Sequence, residues 1–204
     1  MTPPLLVFIA CSLDGFIARK DDDIDWLTQA PTAPGEDHGY AAFMARVDTV
    51  VMGRRTFDKI KGFEPWPFDG RRVLVLSRTL RELPGNLQHR AELHAGSIPD
   101  LLPNLAASRG VYVDGGQVIR SFLQHGLIEE MTVTRLPVLL GTGLPLFGDM
   151  SLQADQWWDV TAARVYPVSG FVQTTYRRRG QASPSAPHLP QGQGGPPPPD
   201  LPGT

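Results

Sequence analysis

Cysteine occurs once in the chain, as Cys11, which excludes an internal disulfide framework and a cysteine-based zinc site and leaves a reducing cytoplasm as the expected location. Histidine is also sparse: its five positions, 38, 89, 94, 125 and 188, contain no pair at metal-ligand spacing, so a metal enzyme is not expected. No Gly-x-Ser-x-Gly elbow is present to support a hydrolase. The dinucleotide fingerprint Gly-x-Gly-x-x-Gly is missing as well. Charge is nearly balanced, 19 Lys and Arg against 21 Asp and Glu, and a formal net charge of −2 creates no field to attract polyanions. Nucleic acid is therefore not an expected partner, and the run Arg177, Arg178, Arg179 reads as a solvated strand end. The first apolar run, Leu5 to Cys11, has no basic region before it and is too short for a secretory signal or a membrane span. Cys11 lies inside that run and reads as a buried, inert thiol rather than a nucleophile.

Glycine and proline are abundant, with 21 and 20 copies. Eight of the prolines fall between Gln181 and Thr204, a stretch with no aromatic residue and one charged side chain, Asp200. Such a segment buries too little apolar surface to offset its chain entropy, so residues 181–204 are expected to be a disordered tail. Pro196 to Pro199 favours extended polyproline II backbone, the composition of a spacer. The remaining residues, 1–180, are enough for one sizeable core, and no interior linker or repeat divides them.

Within those residues short β-branched runs alternate with helical stretches, the pattern of βαβ units around a mostly parallel sheet. Leu5 to Cys11, Thr49 to Met52, Arg72 to Leu76 and Val111 to Val113 read as strands covered on both faces. Helical spacing appears over His38 to Val47, over Ile98 to Leu105 despite Pro103, and from Gln117 to a stop at Gly126. Glu130 to Leu136 alternates polar and apolar residues, as a half-exposed strand does. Trp157 to Tyr166 and Phe171 to Arg177, joined by Pro167-Val168-Ser169-Gly170, read as a hairpin. The expected fold class is α/β with an antiparallel finish.

Two strand-to-helix junctions have the make-up of anion sites. One is Val50-Val51-Met52-Gly53-Arg54-Arg55-Thr56-Phe57, where a glycine is followed by two cations and a hydroxyl. The other is Val111-Tyr112-Val113-Asp114-Gly115-Gly116-Gln117, where two residues without Cβ open a helix. Between them Leu76-Ser77-Arg78 ends a strand with the donors a ribose 2′-phosphate needs.

These pieces resemble the dihydrofolate reductase-like fold, and more narrowly the reductase domain of riboflavin biosynthesis (RibD C-terminal-like). The matching segments are Ser12-Leu13-Asp14-Gly15-Phe16-Ile17-Ala18, Asp25-Trp26-Leu27, the Gly53 turn, Val75-Leu76-Ser77-Arg78, Asp114-Gly115-Gly116, and Pro137 to Phe147. The resemblance implies a three-layer fold, NADPH as cofactor and hydride transfer to a small heterocyclic or carbonyl substrate, ribosylamino-pyrimidine-like or pterin-like. An activity like 5-amino-6-(5-phosphoribosylamino)uracil reductase or dihydrofolate reductase follows. Gly53, Arg54, Arg55 and Thr56 match the turn that holds cofactor phosphates, and Ser77 and Arg78 match the segment beside the 2′-phosphate. Gly115, Gly116 and Gln117 match the turn under the pyrophosphate, while Ala10, Ile17 and Ala18 match positions lining the nicotinamide. Gly141-Thr142-Gly143 reads as a turn, and Asp14 as a carboxylate stabilising the loop after the first strand. Bifunctional relatives carry a zinc deaminase ahead of the reductase; this chain starts at the reductase strand and is expected to be a standalone module.

A reduced C=N or C=O also needs a proton. Asp25 and Asp37 are the candidate donors, with solvated loop carboxylates as the alternative for both. Trp26 either floors a substrate pocket or plugs the core. A non-catalytic NADP(H)-binding or structural module on the same fold is the competing function. The riboflavin reductases that the chain resembles imply a homodimer, with Trp157, Trp158 and the apolar segment 136–147 as candidate surface.

Overall fold

In the computed structural model, which describes residues 2–180, the four apolar runs become neighbouring strands of one sheet. The segment 181–204, expected to be a disordered tail, lies outside the described residues. In chain order the elements are β1 (Leu5–Cys11), β2 (Phe16–Ala18), α1 (Asp25–Thr28), α2 (Tyr40–Met44), β3 (Thr49–Gly53), α3 (Arg54–Ile60), β4 (Arg72–Leu76) and β5 (Glu92–His94). There follow α4 (Ile98–Leu105), β6 (Val111–Asp114), α5 (Gly116–Gln124), β7 (Glu130–Arg135), β8 (Leu144–Pro145), β9 (Trp158–Tyr166) and β10 (Phe171–Arg178). The eight-stranded sheet runs β5-β4-β3-β6-β1-β7-β10-β9, parallel from β5 to β7, with β10 and β9 antiparallel at one edge. β2 and β8 form a separate two-stranded ribbon.

Strand side chains alternate between faces, and each face is buried against different elements. Leu5, Val7, Val51, Val111 and Val113 pack on Leu101 and Leu105 of α4 and on Ile119 and Phe122 of α5. Leu6, Val50, Met52, Val73 and Tyr112 pack on Phe43 and Met44 of α2 and on Phe57 of α3. This is the expected three-layer α/β architecture.

Two local expectations change and one holds. The helix read over His38 to Val47 is only Tyr40–Met44, because His38 and Gly39 take left-handed φ values of 53° and 83° and start the turn late. The helix expected over Ile98 to Leu105 forms as α4 with Pro103 inside it, Ser97 and Asp100 closing a capping box at its start. The strand expected to be half exposed, β7, is buried on both faces between β1 and β10. Its polar residues are tolerated there because they are paired. Thr132 bonds Thr175 Oγ1 at 3.0 Å, Thr134 accepts from Gln173 at 2.8 Å, and Glu130 accepts from Arg46 at 2.6 Å. No helix among the described residues is long and apolar enough to cross a membrane.

Candidate functional site

The parallel strands β1, β3, β4 and β6 deliver their C-terminal ends to one cleft of about 1160 Å³. Open parallel sheets place ligand sites at that end, where chain leaves strands for helices. Gly53 ends β3 at a position where a Cβ would lie 3.2 Å from Val118 Cγ2, so its lack of a side chain lets α5 approach the end of β3. Gly115 has φ +87°, and a Cβ there would meet Thr56 Oγ1 at 2.4 Å. Thr56 and Gly115, about 60 residues apart, are thus two halves of one turn assembly. A Cβ on Gly116 would meet Ile17 Cδ1 at 2.5 Å, which ties the Gly-Gly turn to β2. No side chain caps the start of α5, so its first amides open on the cleft.

One lobe of the cleft is cationic, lined by Arg54, Arg55, Lys59 and Arg78. Arg54 bonds Asp58 at 3.3 Å and Thr79 Oγ1 at 3.2 Å, and Arg55 pairs with Asp22. Among the described residues neither Arg78 nor Lys59 has a hydrogen-bond or ion-pair partner, so both cations are left for a ligand. Ser77 uses its hydroxyl oxygen to accept the amides of Thr79 and Leu80, at 3.3 and 2.9 Å, and so shapes the turn that presents Arg78. Gly96, Ser97, Ile98 and Pro99 line the same lobe. Sequence reasoning missed them, although the Ser97-x-x-Asp100 capping box was a readable signal.

The other lobe is aromatic. Phe8, Tyr40, Tyr112 and Phe171 line it, with Asp114 and Thr134 among them. The His38 ring meets Tyr166 edge-on with centroids 4.6 Å apart, its own nitrogens buried without hydrogen-bond partners. Gln173 Nε2 donates to the His38 carbonyl at 3.0 Å and holds this wall against β7. Between the lobes lie Ala10, Ile17 and Ala18, closed over by Leu144 and Pro145 of β8. Gln117 also faces the cleft.

Two of the sequence-predicted site residues stand elsewhere. Asp25 does not line the cleft, and its carboxylate accepts from Arg19 at 2.6 and 3.1 Å, which lowers its pKa. Trp26 is buried with Leu136, Tyr166 and Phe171 and plugs a core behind the aromatic wall. Asp37 does line the cleft, but its oxygens accept the amides of Gly39 and Ala41, both at 2.8 Å, starting α2. Those amides, Ala41 first, hold its pKa down. An ionised cap has no proton to give near neutral pH.

Asp114 is the carboxyl that was not singled out as a donor. It ends β6 between the two lobes, its Oδ1 accepts the Gly115 amide at 2.8 Å, and no cation among the described residues pairs with it. Burial pushes its pKa up, opposed in part by the Gly115 amide and the Tyr112 hydroxyl. Tyr112 donates to the Phe8 carbonyl at 3.0 Å. Burial foremost, with the charge of Asp114 next, raises the Tyr112 and Tyr40 pKa values as well. The sequence marks Asp114 only as part of the Asp114-Gly115-Gly116 turn; its enclosure is built from β1, β6 and α2 and is not legible there.

Comparison with known proteins agrees with this geometry. The family model of the RibD C-terminal domain matches residues 3–169. YwjB of Bacillus subtilis strain 168, an uncharacterised protein, is 33% identical over 153 residues, covering 72% of this chain and 83% of its own length. A crystal structure from Shewanella sp. PV-4, provisionally assigned to riboflavin biosynthesis, is 39% identical with a TM-score of 0.78, covering 88% of this chain and all (100%) of that one. The Thermotoga maritima diaminohydroxyphosphoribosylaminopyrimidine deaminase/5-amino-6-(5-phosphoribosylamino)uracil reductase is similar at the level of fold alone, 17% identical with a TM-score of 0.66; 87% of this chain spans 57% of that protein. With a family match running from β1 to the β9–β10 turn, the chain belongs to the RibD C-terminal domain family.

Proposed function

We propose that the protein is an NADPH-dependent reductase of a small, flat heterocyclic or carbonyl substrate. The observation that carries this reading is one continuous cleft with a cationic lobe at one end and an aromatic lobe at the other. The dinucleotide fits the first lobe on two structural grounds. The Gly115–Gly116 turn leaves room only for backbone, since a Cβ would already strike Thr56 or Ile17, and Arg78 waits there without a partner. Gly53, Arg54, Arg55, Thr56 and Gln117 would hold the phosphates, Ser77 and Arg78 the 2′-phosphate, and Ala10, Ile17 and Ala18 the nicotinamide. When bound, the cofactor supplies a hydride. The protein's part is to orient the substrate between Phe8, Tyr40 and Phe171, exclude water, and hold a proton close by. The Thermotoga relative's name makes a ribosylamino-pyrimidine the first substrate to try.

Fluorescence titration with NADPH and NADH tests the reading. A charge-assisted phosphate contact contributes on the order of 1.5–3 kcal/mol. NADPH should therefore bind roughly ten- to a hundredfold more tightly. Equal affinities would overturn the role given to Arg78. The competing reading, a binding module without turnover, draws on Asp25 and Asp37 both being held as ionised structural carboxylates. NADPH binding without oxidation in the presence of 5-amino-6-(5-phosphoribosylamino)uracil or dihydrofolate would favour it.

A further inference from the structure

The start of α5 carries a cation with no acid partner among the described residues. Gly116 and Arg120 are four residues apart on this helix and share one face, and helical side chains lean toward the N-terminus. The Arg120 guanidinium accordingly lies back over the first turn, where a Cβ on Gly116 would come within 3.3 Å of its Nη1. Nη1 donates to the Pro145 carbonyl at 2.7 Å and, more weakly, to the Leu146 carbonyl at 3.4 Å. Among the described residues Nε and Nη2 donate to nothing. Arg120 is a half-buried lining residue of the cleft, and none of the acids that also line it, Asp22, Asp37, Asp114 and Asp149, pairs with it. The arrangement is unfavourable by itself. The uncapped amides of α5 and the helix dipole already make that end positive, so a guanidinium laid over it is repelled unless an anion lies between the two. Arg54 and Arg55, by contrast, are neutralised by Asp58 and Asp22.

We propose that Arg120 is a second anchor of the cofactor diphosphate, gripping it from the β8 side while the Gly115–Gly116 turn and the first amides of α5 hold it from the other. This rests on the reductase reading. One edge of the guanidinium is occupied by the carbonyls of β8, and the remaining donors are free for phosphate oxygens, a division that a planar fork allows and a single ammonium does not. The lack of a Cβ at Gly116 is what lets the guanidinium reach this place. The same side chain joins two parts of the site. β8 pairs with β2 at Leu144–Ala18 and Pro145–Phe16, and β2 carries Ile17 and Ala18, which line the cleft between its lobes. An arginine held by phosphate at one edge and by β8 at the other fastens that ribbon to the start of α5 when the nucleotide is bound.

Binding of two ligands to the whole chain tests the assignment: NADPH, followed by fluorescence, and adenosine 2′-monophosphate, which lacks the diphosphate, followed by calorimetry. Arg120→Gln should weaken NADPH binding roughly tenfold or more and leave adenosine 2′-monophosphate within about twofold of wild type. Arg78→Gln should weaken both. The NADPH affinity of Arg120→Gln should also fall less steeply with added salt than that of wild type, since one screened charge pair is gone. A residue that only braced β8 would not change that slope. Arg120→Lys keeps the charge without the fork and should lose roughly threefold or more in NADPH affinity with the same selectivity, so it carries the comparison if the Gln variant does not fold. Unchanged NADPH affinity in the folded variant, or equal losses for the two ligands, would overturn the proposal. Failure of wild type to bind NADPH would instead sink the reductase reading, whereas a wild type that binds it with Arg120 indifferent leaves that reading intact.

Discussion

The two glycines of the Asp114-Gly115-Gly116 turn are chemically identical and structurally different. Gly115 sits at φ +87° with Thr56 Oγ1 filling the space of a Cβ, so Gly115→Ala adds left-handed strain and a contact that cannot relax cheaply. With ψ at 131° the backbone lies in a region used almost only by glycine, where an alanine costs about 1–3 kcal/mol before the clash is counted. At this chain length that predicts a melting temperature lower by roughly 2–12 °C, with or without cofactor. Gly116 meets only the far ends of two flexible side chains, Ile17 and Arg120. Gly116→Ala should leave the melting temperature within about 2 °C. It should weaken NADPH binding severalfold, since Ile17 must move toward the nicotinamide position. Equal thermal effects of the two substitutions would contradict this division. Both glycines were readable in the sequence as a turn. Their unequal duties were not, because these depend on Thr56 and Ile17, brought in from other elements.

At the scale of elements, loops bind the sheet's C-terminal edge together through a few polar contacts. Asp14, expected to steady the loop after β1, does so and spans a second loop as well: it accepts Ser12 Oγ at 2.6 Å and the amides of Leu140 and Gly141 at 3.1 and 2.7 Å. Ser12 first, then those amides, lower its pKa. A carboxylate with a depressed folded pKa contributes stability that is complete above its unfolded value, about 3.9, and is lost as pH falls through the folded value. Asp14→Asn should therefore melt below wild type at pH 7, and the gap should close as the pH is taken below 4. Thermal melts at both pH values check this, and a constant gap would mean that the carboxylate charge is not what joins the loops. The same loops contain Gly141, whose φ of +72° makes the turn read from Gly141-Thr142-Gly143. A second loop contact, between Asp22 and Arg55, ties the acidic run Asp21-Asp22-Asp23 to the cationic lobe. A pairing 33 residues away leaves no local trace in the sequence of that run.

For the whole molecule, β9 is an edge strand, and Val160 and Val165 on it are 60% and 62% exposed, next to Trp157 at 65%. Unpaired apolar edges are templates for another chain. We propose a homodimer through this edge; light scattering at micromolar concentration should give twice the 22.3 kDa of one chain, and a mass near 22.3 kDa would exclude it. We also propose that residues 1–180 are the complete domain. Among the described residues the last strand is β10, ending at Arg178, so a chain stopped at Gly180 should keep its melting temperature and NADPH affinity. A drop of several degrees would move the boundary. The sequence alone was enough for the α/β class, the positions of the four buried strands along the chain and the Gly53 and Gly115 turns, because apolar runs and missing Cβ atoms act locally on backbone and burial. Only the tertiary structure decided which carboxyl faces the cleft and which polar strand is buried. Asp25, Asp37 and Asp114 are the same side chain, and what separates them is an Arg19 ion pair, two helix amides and an enclosure of strands and tyrosines. Desolvation and partner choice are set by neighbours distant in the chain, so they come into being only when the sheet has formed.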